Sequence, residues 1–204
     1  MIRTKADKAV FIFAAALVLL TAFAVFDGFY RQCRAVRENT LRLHIIANSD
    51  SEADQKNKLL VRDAVLAEYA EALAAGDSVA DAVRVTQQLT GAISMTAQKT
   101  LRSAGCEDTV TASVVSMYFD TITYDDGKTM PAGEYEALRI VIGEGAGHNW
   151  WCVMYPPLCV PAAEKKTLTP EEERILSLND TPHVTAKFAV VELYEKLKAA
   201  CFGK

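Results

Sequence analysis

Apolar residues run without a charge from Ala9 to Phe26, about 18 positions, near the lower limit for crossing a bilayer core of roughly 30 Å. Beyond Asp27 that pattern breaks into short periodic stretches. Arg31, Arg34 and Arg37 recur at helical spacing and predict a polar stalk with a solvated face over 27–40. From Leu41 to Ala47, Leu41, Leu43 and Ile45 alternate with Arg42, His44 and Ile46, the period of a strand. Asn48, Ser49, Asp50 and Ser51 end it. Ser51 and Asp54 have the spacing of a helix cap, so a helix should follow to about Ala75 and stop at Gly76.

A second helix is predicted from about Ser78 to Ser103, because Ala82, Val85, Leu89, Ile93, Ala97 and Leu101 trace one apolar stripe at spacings of three and four. Val110 to Phe119 and Tyr135 to Ile142 are rich in β-branched and aromatic residues, with the Asp126-Gly127 turn signal between them, and predict a hairpin with a long connection. A short helix after Pro170 and a last one from about Val184 to Phe202 follow, the latter with Val190, Leu193, Leu197 and Cys201 on one side. The fold class expected is α+β: helices packed on a small, mainly antiparallel sheet, preceded by an N-terminal membrane or signal helix. Strand order does not follow from these patterns.

Composition changes the picture in two ways. Lys and Arg number 22 against 26 Asp and Glu, a formal charge of -4, so no basic field exists to hold a nucleic-acid backbone. The positive charges that do matter stand at the start: Arg3, Lys5 and Lys8 precede the apolar run and orient it with the N-terminus in the cytoplasm and the body outside. The expected organisation is a basic cytoplasmic segment over 1–8, a signal anchor or signal peptide over 9–26, the stalk over 27–40 and an extracytoplasmic globular domain over 41–204. Ala22 and Ala24 form a small-x-small site at which a signal peptide would be cut.

In an exported compartment disulfides persist, which bears on Cys33, Cys106, Cys152, Cys159 and Cys201. Cys152 and Cys159 have a separation that suits a small loop closed across Pro156 and Pro157; the alternative is two buried thiols packed as small hydrophobes.

Two segments carry chemistry. On the helix after Asp50, Val61, Val65 and Tyr69 share an arc that should face the core, and Asp54, Lys58 and Arg62 share that arc one to two turns earlier. Charged groups there need partners, and the adjacent strand end offers His44, Asn48 and Asp50. The plain alternative is a salt-bridged scaffold, Asp54 with Lys58 and Arg62 with a carboxylate. The second segment, Gly143 to Cys159, reads GEGAGHNWWCVMYPPLC and contains both tryptophans of the chain, Trp150 and Trp151, directly after His148 and Asn149. No Lys-Ser/Thr pair follows its glycines, which excludes a phosphate-cradling loop. His148, Cys152 and Cys159 match no common zinc spacing. A Cys152 nucleophile with His148 or His44, or a carboxylate pair drawn from Asp50, Glu134 and Glu144, meets no spacing that prefers it. A core strand with one indole buried and the other partly exposed competes with an exposed aromatic surface for a protein partner.

These same segments resemble the stage II sporulation protein R family. Leu41 to Arg62, LRLHIIANSDSEADQKNKLLVR, carries that family's pattern of a strand followed by HxxANSDxxxDQxxK and VRD, and Gly147 to Cys159, GHNWWCVMYPPLC, its second signature. Lys187 and Phe188 before Val191 and Glu192 are similar to its closing helix. Residues 78–133 and 160–182 match no pattern of the family. The resemblance implies a signal in endospore formation. Such a protein is exported from the forespore into the space between the septal membranes. There it activates a membrane-embedded aspartic protease of the mother cell, of the stage II sporulation protein GA type, which removes the pro-sequence of sigma factor E. It implies binding and not catalysis, no cofactor, and a functional surface drawn from His44, Asn48, Asp50, Asp54, Gln55, Lys58, Arg62, His148, Asn149, Trp150, Trp151, Cys152, Pro156, Pro157 and Cys159. The expected device is a Trp-Trp-Cys-Val docking loop stiffened by the two prolines, whose tryptophans should be replaceable by Ala without harm to folding. An exported hydrolase of cell wall or peptide with His44, Asp50 and His148 around one cleft is the alternative from another class, and a tethered structural domain a third.

Overall fold

The computed structural model describes residues 4–74, 77–124, 128–156, 176 and 182–202. In chain order the described elements are α1 (Lys5–Glu38), β1 (Leu41–Ile46), α2 (Glu52–Ala74), α3 (Val79–Ser103), β2 (Val110–Phe119), β3 (Ile122–Thr123), β4 (Thr129–Met130), β5 (Gly133–Ile142), β6 (Asn149–Tyr155) and α4 (Pro182–Phe202). The chain separates into two compact units: Arg37–Asp120 with Gly133–Thr169, and Met1–Val36 with Thr121–Ala132 and Pro170–Lys204.

The first of these units is a four-stranded sheet of order β2-β5-β1-β6 with α2 and α3 on one face. β2 and β5 pair antiparallel along their whole length, from Val110↔Ile142 to Phe119↔Gly133, which is the hairpin expected from their β-branched and aromatic content. β1 enters beside β5 in parallel and beside β6 antiparallel, so two of the three pairings are antiparallel and the α+β expectation holds. The alternation in β1 has an outcome that a half-exposed strand would not show: all six residues are buried. Leu41, Leu43 and Ile45 enter an aliphatic core with Val61, Val65, Ile93, Ala97 and Leu101, each such side chain stabilising the fold by about 1.5–3 kcal/mol on burial. Arg42 and His44 are buried on the opposite face.

Both helices start where the sequence predicts. The backbone N–H of Asp54 donates to the Ser51 hydroxyl at 3.1 Å, and that of Asp81 to the Ser78 hydroxyl at 3.2 Å. Within α3 the buried row is Ala82, Thr86, Ile93, Ala97 and Leu101; Thr86 enters it because its hydroxyl donates to the Ala82 carbonyl at 2.7 Å and so buries no unmet donor. Gln98 ties the end of α3 to β2, donating to the Asp108 carbonyl and accepting from the Val110 N–H.

The second unit contains α1 as far as Val36, the short β3–β4 pair and α4, while Arg37 at the end of α1 belongs to the first unit with Gly133. α1 opens with a reciprocal cap between Thr4 and Asp7 and has a mean hydropathy of 2.8 over its most apolar 18 residues, long and apolar enough to cross a membrane. One expectation is corrected in part. The stalk is helical as its arginine spacing predicts, and Arg31 and Arg34 are exposed, but it continues α1 without interruption and Arg37 is buried at 7% exposure. Gly133 makes room for it: at φ +139°, a Cβ there would lie 2.6 Å from Arg37 Cδ. In α4 the stripe of Val190, Leu193, Leu197 and Cys201 faces outward, whereas Phe188, Val191 and Glu195 are buried. Spacings of three and four fit more than one face of this helix, and contacts with Phe29 and Tyr30 of α1 select the other one. The Gly76 stop, the Asp126-Gly127 turn, and the short helix after Pro170 lie outside the described residues, Leu176 excepted.

Candidate functional site

The two sequence signatures meet at the C-terminal end of β1. Their joint is built by backbone: the N–H groups of Gly147 and Ala146 donate to the carbonyls of Ala47 and Asn48 at 3.0 and 3.1 Å, extending the β1–β6 pairing into the glycine-rich segment. Gly147 is required there, since a Cβ would collide with the backbone carbonyl of Ser49. The Asn48 side chain joins three segments, accepting from the Glu144 N–H at 2.9 Å and donating to Asp54 at 3.1 Å.

Charged residues of α2 find partners in this joint, as their core-facing arc demands. Asp54 accepts from Ser49 at 2.5 Å as well as from Asn48, and these hydrogen bonds hold its carboxyl below its usual pKa. Lys58, 5% exposed, donates to Gln55 at 2.6 Å and to the His148 carbonyl at 2.9 Å. Burial lowers its pKa, opposed by the Asp50 charge. The expected Asp54–Lys58 ion pair is therefore replaced by two hydrogen-bonded sets, one for each charge. Gln55 also donates to the Ser49 carbonyl at 2.9 Å. Arg62 has its carboxylate in Asp63, at 2.7 Å, and lies 4.3 Å over the ring of Trp150.

At the outer edge of this joint stand Asp50 and His148. One Asp50 oxygen accepts from the His148 backbone N–H at 2.6 Å and contacts its Nδ1 at 2.5 Å. Both side chains are exposed, His148 at 78% and Asp50 at 57%. The His148 hydrogen bonds hold the Asp50 carboxyl below its usual pKa. The result is an imidazole fixed by its Nδ1 and its own backbone, presented to solvent on a rigid frame.

His44 is elsewhere. Its Nε2 lies 2.8 Å from Asn149 Oδ1 and its Nδ1 3.3 Å from Met117 Sδ, on the sheet face opposite α2 and α3. Trp151 stacks on it, with centroids 3.9 Å apart and planes at 16°, and Phe119 meets Trp151 edge-on at 4.8 Å. Below this pair the Arg42 guanidinium lies 4.0 Å over Phe119 and 5.1 Å over Tyr135. Burial lowers the pKa of His44, with Arg139 and Arg42 adding to it and the Asn149 hydrogen bond opposing. His44 thus does not share a cleft with Asp50 and His148: it is 3% exposed and spends its ring on Trp151.

The docking loop is corrected too. Trp150, Trp151, Cys152 and Val153 are strand β6, not a loop, and the indoles fall on opposite faces of the sheet, each half-buried. The indole N–H of Trp150 is buried without a hydrogen-bond partner among the described residues. Cys152 is 1% exposed and disulfide-bonded; Cys159, the partner expected from the sequence, lies outside the described residues, as does Pro157. Pro156 follows β6 through a cis Tyr155–Pro156 bond. The aromatic layer of Arg42, Met117, Phe119 and Tyr135 behind His44 escaped sequence reasoning. Its available signal was the aromatic pair at the ends of two strands predicted to form one hairpin, which places Phe119 near Tyr135.

Comparison with known proteins places residues 37–165 under the family model of stage II sporulation protein R. The stage II sporulation protein R of Bacillus subtilis (strain 168) is 38% identical over 124 residues, 61% of this chain and 55% of that relative. The chain thus spans about half the length of the curated relative it matches. No solved structure matches.

Proposed function

The chain belongs to the stage II sporulation protein R family, and from that premise we propose that it is a sporulation signal read by a protein partner at the Asp50–His148 edge. On this reading it is made in the forespore, directed into or across the forespore membrane by α1, and acts between the septal membranes. Its partner is the membrane-embedded aspartic protease of the mother cell, of the stage II sporulation protein GA type, which then removes the pro-sequence of sigma factor E. No chemistry by the chain is needed. An activator need only bind the active state of the protease more tightly, by about 1.4 kcal/mol for each tenfold change in population.

One observation carries the choice of surface: the exposed His148 ring is held by Asp50 while its carbonyl is held by the buried Lys58. Two family signatures far apart in sequence thus support one outward group. Such preorganisation lowers the cost of binding.

The test is processing of pro-sigma factor E in sporulating cells that carry the chain as their sole copy. The variant His148→Ala, which keeps the Asp50 carboxylate and the backbone hydrogen bond, should reduce processing about tenfold or more with an unfolding free energy within about 0.5 kcal/mol of the parent, as for exposed side chains. Full processing by this variant rejects the edge as the surface read. The hydrolase alternative keeps one favourable feature, the carboxylate–imidazole contact. His148→Gln separates the two, because it retains hydrogen-bonding capacity for a partner yet ends acid–base catalysis.

A further inference from the structure

We propose that the outward apolar face of α4 lies in the surface of the same bilayer that α1 enters, covered by its acyl chains. The inference rests on the reading of α1 as a membrane segment. Val190, Leu193, Tyr194 and Leu197 are 51%, 60%, 43% and 56% exposed, and at about 100° per residue they occupy one arc of the helix. The other arc packs on α1. Phe188 meets Phe29 edge-on at 5.2 Å, Tyr194 reaches across to Phe26 and Tyr30 at 5.7 and 5.1 Å, and the Tyr30 hydroxyl donates to Glu195 at 2.9 Å.

The height of this packing decides what covers the open arc. Val25 and Phe26 are the last residues of the uncharged apolar run. Together with Val18 and Ala22 they share with Ala186 and Val190 the wall of an apolar cavity of about 520 Å³. An apolar surface therefore continues from residues that α1 places in hydrocarbon to residues that α4 leaves uncovered. The stretch of α4 around Tyr194, beside Phe26 and Tyr30, stands at the boundary of headgroups and acyl chains, where lipid is the first apolar phase it meets. Lysines border the open arc on both sides: Lys187, with its Nζ 5.7 Å over Phe29, and Lys198, 3.7 Å from Glu195, on one, and Lys196 on the other. Their long stems reach past an apolar face to headgroups, and an apolar face edged by lysine is the composition of an interfacial helix.

The experiment uses the full chain in vesicles of phosphatidylglycerol and phosphatidylethanolamine. The background is Cys106→Ala, Cys201→Ala, in which Cys33 is buried. An environment-sensitive fluorophore is attached to Leu193→Cys, to Ala199→Cys on the far side of α4, or to Ala16→Cys within α1. A shallow nitroxide lipid should quench the Leu193 label by about twofold and leave the Ala199 label unchanged, because an interfacial helix buries only one face. A deep nitroxide lipid should quench the Ala16 label. An unquenched Leu193 label beside a quenched Ala16 label overturns the inference alone and gives the face to water or to a protein. If neither is quenched, the membrane reading of α1 falls and the inference with it.

Discussion

The two faces of β1 are made by alternate residues of one hexapeptide, yet they are different materials. Leu41, Leu43 and Ile45 pack against α2 and α3 in an aliphatic core, held by area removed from water and by close packing. Arg42 and His44 are buried on the other face, against Phe119, Tyr135 and Trp151. There the geometry of rings and charges matters as much as area: a guanidinium over two aromatic rings, an imidazole stacked on an indole. The difference teaches that period-two alternation of apolar and polar residues marks a strand without deciding that its polar face meets water. Cationic and heteroaromatic side chains tolerate burial when their flat surfaces meet rings.

Substitution should separate these materials. Leu43→Ala removes a side chain with no exposed surface from the aliphatic core, where neighbours on strands and helices cannot close the gap; a loss of about 3 kcal/mol is expected. Equilibrium unfolding of the detergent-solubilised chain measures it, and a loss below about 1 kcal/mol would mean that this face is loosely packed. Trp151→Ala removes a half-buried ring that covers His44 and abuts Phe119, and should cost about 2 kcal/mol, less than a fully buried aromatic. That result would also explain any loss of signalling by this variant as a loss of fold. Unchanged stability would restore Trp151 to the role of a docking group.

How far the sequence disclosed this arrangement depends on the range of the interaction involved. Local signals were sound: Ser51 and Ser78 cap α2 and α3, and the stripe through Ile93, Ala97 and Leu101 enters the core. The polar joint was legible in outline because Asp54, Lys58 and Arg62 occupy an arc meant for apolar residues, so partners were demanded. Which partners could not be read. Lys58 turns to the carbonyl of His148, 90 residues away, and not to Asp54, whose Oδ2 accepts from Asn48 and Ser49. The position of His44 was missed for a related reason: the strand's side-chain period puts it on the face away from α2, a consequence available from the alternation itself. The sheet order, with β1 inserted between β5 and β6, rests on long-range pairings that no local pattern encodes. That Val190, Leu193, Leu197 and Cys201 share one side of α4 was legible, but not that this side faces outward, because apolar spacing does not say which face a helix buries.

The smallest expected effect sharpens the contrast between the faces through pH. His44 is the titrating ring of the aromatic layer, and burial lowers its pKa against the opposing Asn149 hydrogen bond, with Arg139 and Arg42 nearby acting in the same direction as burial. A group whose folded pKa is depressed contributes stability that is present above its unfolded value, about 6.5, and lost as pH falls towards the folded one. One proton limits the slope to about 1.4 kcal/mol per pH unit. Unfolding free energies measured between pH 7.5 and 5.5 should therefore decline towards acid in the parent chain. His44→Phe keeps a flat ring on Trp151 but cannot take up a proton, so it should decline less over the same interval, whereas His148→Ala, at the exposed edge, should keep the slope that His44 supplies. Parallel curves for the parent and His44→Phe would mean that the imidazole is as well accommodated charged as neutral, and that the aromatic face is wetter than its 3% exposure implies.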